Sequence, residues 1–114
     1  MIRLPSLAAL ALISSAANAV PSTVSGRISV TQVRQMLDKA PTDRTARQVL
    51  IAYLAGVGEG ASAIVDMGNL SCRSALSLDA ASVRRSISGV KDGSDVAATP
   101  LIVRNMLIGA GCKR

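Results

Sequence analysis

The 114-residue chain has no histidine, tryptophan or phenylalanine, and Tyr53 is its single aromatic residue. Each absence removes a class of function. Without histidine no imidazole can serve as the base beside a nucleophile or complete a zinc site. Without aromatic platforms there is no surface on which single-stranded nucleic acid could stack its bases. The seven Asp plus Glu residues are scattered and form no recognisable pair, and only two cysteines, Cys72 and Cys112, are present. Ser71 and Ser77 read as a loop residue and a helix cap. The chain is therefore expected to be no enzyme, with no catalytic residue, no cofactor and no metal.

What is present begins with a leader. In "MIRLPSLAALALISSAANAV" one basic residue, Arg3, precedes an apolar run and the small residues Ala17-Asn18-Ala19. This is the layout of a secretory signal peptide over residues 1–19, cleaved after Ala19. The run is too short to span a bilayer, which needs about 20 residues. Residues 20–114 then form one small exported domain, at a size where a single core is marginal and a staple is useful. A disulfide between Cys72 and Cys112 is the expected staple in an oxidising compartment. In the chain-entropy view its closure is equivalent to roughly 4 kcal/mol. Removing Arg3 leaves twelve Lys plus Arg against seven Asp plus Glu, a net charge of +5. Such a surface suits an acidic partner or simple solubility, and export argues against nucleic acid.

The apolar residues recur at helical spacing. Ser29 with Gln32 forms a capping-box pattern before Val30, Val33, Met36 and Leu37, and Pro41 ends that helix. Thr42 or Asp43 caps the next, which carries Ala46, Val49, Leu50, Tyr53, Leu54, Val57, Ala61 and Ile64 to about Val65 before Gly68-Asn69 breaks it. Ser77 is the expected cap of a third helix through "LDAASVRRSI", stopped by Gly89. Thr99-Pro100 reads as cap and first helical residue of a fourth, with Leu101, Met106, Leu107 and Ala110 facing inward. With no alternating strand pattern, the expected fold is all-α, a small four-helix bundle with one disulfide.

The run "AYLAGVGEGAS", residues 52–62, loosely fits a dinucleotide-binding fingerprint, but there is no strand before it and no sheet beside it. Its Ala52, Gly56 and Gly60 fall four apart on one helical ridge. Arg47 and Asp66 bound the apolar segment and Glu59 interrupts it, which argues against a membrane span. The expectation is close helix packing at Ala52, Gly56 and Gly60, so that Gly56→Leu would lower the melting temperature. The same ridge allows a homodimer.

The run "YLAGVGEGAS", the downstream Cys72, the "LSLDAASVRRSI" helix and the closing "AATPLIVRNMLIGAGC" with Cys112 together resemble the Rap/Tai family of immunity proteins. The likeness covers about Ser29 to Cys112. It implies a small all-helical periplasmic protein that binds a type VI secretion amidase effector and occludes its active-site groove. Family members often carry a second cysteine pair between the first helix and the start of the long one. Here Leu37 and Leu50 stand near those places, where packing would replace the bridge.

The resemblance carries over no inhibitory residue. On physical grounds the longest polar connection, "SGVKDGSDVAAT", is where a small bundle can project groups into a cleft. Lys91, Asp92 and Asp95, with Arg84 and Arg85 beside them, are the candidate partner-binding residues, weighed against an ordinary solvated loop. A second function fits the same size, export and single disulfide: a small periplasmic chaperone of the acid-stress type. Such chaperones, however, place a cysteine ahead of the long helix.

Overall fold

In the computed structural model, residues 22–114 are described; the expected leader over residues 1–19 lies outside them. Among the described residues there are four helices: α1 (Val30–Lys39), α2 (Arg44–Met67), α3 (Ala80–Ile87) and α4 (Ala98–Gly109). The all-α, single-disulfide bundle expected from the sequence is the observed architecture. Helix α1 packs on α2 and α3, and α4 packs on α2 and α3. Between them lies one core, built from Val30, Val33 and Leu37 of α1, Leu50, Val57 and Ala61 of α2, Val83 and Ile87 of α3, and Ala98, Ile102 and Met106 of α4. Leu37 and Leu50 are both buried in it.

The helix starts follow local chemistry in three cases of four. At α1 the Ser29 hydroxyl accepts from the Gln32 amide at 3.0 Å and the Gln32 side chain accepts from the Ser29 amide at 2.8 Å, a complete capping box. At α2 Asp43 accepts from the Ala46 amide. The start of α3 differs from expectation. Ser77 does not cap it; Asp79 does, accepting from the Ser82 amide at 2.8 Å while the Ser82 hydroxyl accepts from the Asp79 amide. A carboxylate two residues downstream offers the same acceptor nearer the first turn, and half-buried Leu78 anchors the approaching chain on the core.

The start of α4 also differs. Thr99 is not its cap and Pro100 is not its first residue, because the helix already begins at Ala98 with Ala97 as an N-cap lacking a side-chain bond. A tertiary partner takes over the role. The Ala98 amide donates to the Ile28 carbonyl and the Val30 amide to the Val96 carbonyl, an antiparallel bridge that joins the starts of α1 and α4. This releases the Thr99 hydroxyl to bond the Tyr53 hydroxyl of α2.

The two helix ends that matter most close in the same way. After α2, Asn69 takes the left-handed conformation (φ 51°), the Leu70 amide donates to the Val65 carbonyl and the Asn69 amide to that of Asp66. After α4, Gly111 does so (φ 67°), with the Cys112 amide on Leu107 and the Gly111 amide on Ile108. Both are Schellman closures. They deliver Ser71-Cys72 and Cys112-Lys113 side by side, where Ser71 and Lys113 exchange two backbone hydrogen bonds and the disulfide forms with an S–S distance of 2.03 Å. Of the Gly68-Asn69 pair expected to break α2, Asn69 alone uses the left-handed region.

The small-residue ridge is not a packing seam within the chain. Ala52, Gly56 and Gly60 are exposed, and a Cβ built on Gly56, Gly58 or Gly60 would meet no atom within 4 Å. The expected steric overlap for Gly56→Leu is therefore absent. Val49 and Ile64, members of the helical apolar period, are 50% and 45% exposed. By length and composition alone α2 is apolar enough to cross a membrane, with a mean hydropathy of 1.5 over an 18-residue window of which 17% is buried. Arg47, Glu59 and Asp66 do not shorten that apolar stretch as expected. In the bundle, Leu50, Val57 and Ala61 turn the buried flank towards α1 and α4.

Candidate partner-binding edge

The connection from α3 to α4, residues 88–97, is the segment in which sequence reasoning placed the binding groups. It is a braced edge. The Ser94 amide donates to the Lys91 carbonyl across a tight turn in which Gly93 has φ 80°. From α1 the Thr31 hydroxyl accepts from the Gly93 amide at 2.9 Å. From the other side Asp95 accepts from the Val24 amide at 2.7 Å.

Arg34 of α1 is the hub of this edge. Its guanidinium donates to the Asp92 carboxylate at 2.7 Å, to the Ile87 carbonyl at 2.7 Å and to the Val90 carbonyl. Two of these acceptors are carbonyls at and just beyond the end of α3, where a cation is favoured by the helix dipole. A planar group with several fixed donors can meet three acceptors at once, which a lysine ammonium in the same place would do less well. The ion pair itself is open to water on the Asp92 side, at 78% exposure, so the carbonyl bonds contribute more than the charge pair.

The five candidate residues thus divide. Asp92 and Asp95 are exposed but bond back to the body of the protein, holding the edge to α1 and to the turn over residues 23–27. Arg84 pairs with Asp38 of α1 at 3.1 Å with both side chains largely exposed. The Lys91 and Arg85 side chains are exposed and make no hydrogen bond or ion pair among the described residues. Arg85 acts on Asp79 through its field: the Asp79 carboxyl lies below its usual range, chiefly because it accepts the Ser82 amide bond and secondarily through the Ser82 hydroxyl and Arg85. A cleft of about 230 Å³ lined by Arg34, Arg84, Ile87 and Ser88 opens beside these cations.

Sequence reasoning found this loop but missed Arg34, Asp38 and Thr31. Their partners lie 46 to 62 residues away in the chain. In an amphipathic helix their only local signal is a polar position. Among the described residues no group of three His, Cys, Asp or Glu could hold a metal ion. Both cysteines are in the disulfide, which marks a non-reducing compartment.

No family model, curated protein or solved structure matches the chain. The functional reading therefore stands on motif resemblance and on the geometry of this edge.

Proposed function

We propose that the chain is an exported immunity protein of the Rap/Tai type, which binds a type VI secretion peptidoglycan amidase in the periplasm and blocks its active-site groove. The observation that carries this reading is the bracing of residues 88–97 by Arg34, Thr31 and the Val24 amide. A loop already held in one shape gives up little conformational entropy on docking, so a small edge can reach useful affinity. Lys91 and Arg85, whose side chains have no hydrogen-bond or ion-pair partner among the described residues, are the cations of this edge left to engage an acidic rim. The leader read from the sequence and the disulfide both suit the periplasm, and the motif order from Tyr53 to Cys112 suits the family.

The test is capture from periplasmic extract on the immobilised protein at neutral pH, followed by peptidoglycan hydrolysis by the captured enzyme with and without added protein. One amidase, inhibited at about one equivalent, is expected. The double variant Arg85→Glu, Lys91→Glu should weaken binding by roughly tenfold to a hundredfold. Unchanged binding by that variant would move the interface elsewhere.

A second reading is favoured by one observation, the apolar flank of α2 with Ile51 61% exposed and Met67 86% exposed. A periplasmic chaperone of the acid-stress type would use such a surface for many clients, chiefly at low pH. Capture of many unrelated proteins at acid pH, and of no amidase at neutral pH, would decide for it.

A further inference from the structure

We propose that the clasped end of the bundle, where α2 and α4 finish, is a docking surface for an anionic phospholipid membrane, on which the exported protein rests peripherally without spanning it. The clasp brings two helix ends together. The Ser71 amide donates to the Lys113 carbonyl at 2.7 Å and the Lys113 amide to the Ser71 carbonyl at 2.9 Å, next to the Cys72–Cys112 bond.

Of the large apolar side chains that the helices expose, the two barest stand at this end. Met67, the last residue of α2, is 86% exposed, and Ile108, in the last turn of α4, is 69% exposed. Ile64, three residues before Met67 and on the same face of α2, is exposed too. On α4 the exposed Arg104 precedes Ile108 by four residues and shares its face.

Charge is segregated to the same end. Residues 64–74 and 104–114 carry four basic side chains, Arg73, Arg104, Lys113 and Arg114, all exposed, and one acid, Asp66; the rest of the described chain carries eight bases and six acids. Neither ion pair of the described residues uses any of the four bases. Asp66 lies about 100° round the helix from Met67. Two of the bases are set in place by the clasp. The backbone of Lys113 is fixed by the bridge to Ser71. Arg73 lies across Gly111, where an added Cβ would stand 2.5 Å from the Arg73 Nε. Gly111 therefore serves twice, by taking the left-handed φ of 67° and by leaving room for this guanidinium at the C-terminal end of α4, where the helix dipole favours a cation.

Bare apolar side chains ringed by cations match the layers of an anionic lipid surface. Phosphates meet the cations, and the acyl boundary takes in Met67 and Ile108 without a prepared pocket, whereas a protein partner would need a cavity shaped for each. Two inserted side chains alone, or four cations alone, give only weak attachment, so the contact needs both and is reversible.

Vesicle binding is measured on the purified, leader-free protein alone, so its outcome is independent of the amidase reading. The protein should co-sediment with phosphatidylglycerol-containing vesicles at low salt, should be released as salt rises, and should ignore pure phosphatidylcholine vesicles. The double variant Lys113→Gln, Arg114→Gln should weaken binding roughly twentyfold, at about fivefold for each charge. Met67→Ser with Ile108→Ser should weaken it roughly tenfold or more. Circular dichroism and thermal unfolding should show an intact bundle in both, since every changed side chain is exposed. Absence of binding at low salt would overturn the proposal, as would binding indifferent to both double variants or equal on the two kinds of vesicle. So would a protein that ignores vesicles but loses amidase capture in these variants, which would give the clasped end to a protein partner.

Discussion

The hydroxyls of Tyr53 on α2 and Thr99 on α4 lie 2.7 Å apart and share a hydrogen bond. They tie the longest helix to the last one at a point where neither residue is fully buried. Burial raises the Tyr53 phenol above its ordinary pKa, and the Thr99 bond offsets part of that shift. A raised phenol contributes stability that is complete below the unfolded pKa of about 10 and is lost as pH climbs towards the folded value. Because Tyr53 is the single aromatic residue, ultraviolet absorbance titrates this one group. Thr99→Val should move the transition further up, and Tyr53→Phe should cost about 1 kcal/mol in chemical denaturation. A titration midpoint at the free-tyrosine value would contradict the contact.

Arg34 offers a second test. Arg34→Met takes the guanidinium donor from the Val90 carbonyl and leaves the Ile87 carbonyl only the Val90 amide, and should cost about 1 to 3 kcal/mol. Asp92→Asn removes one exposed charge and should cost less than about 1 kcal/mol. Hydrogen exchange is the sharper measurement. The Gly93 and Ser94 amides should lose protection in the Arg34 variant and keep most of it in the Asp92 variant. Equal costs for the two changes would mean that the ion pair dominates.

Gly56→Ala should stabilise the protein. Nothing stands within 4 Å of the added methyl, and a mid-helix glycine is worse than alanine by about 1 kcal/mol. The melting temperature should rise by a few degrees. A fall would show that another surface, from this chain or a second one, presses on that point.

Asp79 gives the acid side of the stability curve. Its carboxyl is lowered chiefly by the Ser82 amide bond, so it contributes stability above the unfolded carboxyl pKa of about 4 that is lost as pH drops through the folded value. Asp79→Asn keeps a cap without the titration, and its unfolding curve should flatten below that pH relative to the parent. Asp79→Ala should lower the melting temperature at neutral pH, whereas Ser77→Ala should leave it unchanged.

Reduction of Cys72–Cys112 should lower stability by roughly 4 kcal/mol in the chain-entropy view, given the 40-residue separation. The Arg73 and Lys113 amides, bonded to the Ala110 and Ser71 carbonyls, should be the first to gain exchange.

The parts of this fold that could be read from sequence are those decided within a few residues. The Ser29–Gln32 box, the Asp43 cap, the left-handed Asn69 and the helical period of the core positions belong there. The start of α4 could not be read, because its first amide is satisfied by Ile28, 70 residues earlier. Periodicity also says which residues could face a core but not how much of a helix the core will cover. That is why Val49 and Ile64 share the helical period of the core residues and yet are exposed, and why the small residues of α2 suggest a seam that the fold does not form. Of the candidate edge, the loop is legible from its polarity and the bracing by Arg34 is not.

The covalent clasp also decides how the protein would respond to being pulled. Tension applied between its two termini would run along α1 and α2 to Cys72 and cross directly to Cys112. Helix α3, the braced edge and α4 all lie between those two sulfurs. They would carry no covalent load, but drawing α1 off the bundle would take Arg34 and Thr31 away from the edge they brace, so that edge would lose its shape before the clasp gives way.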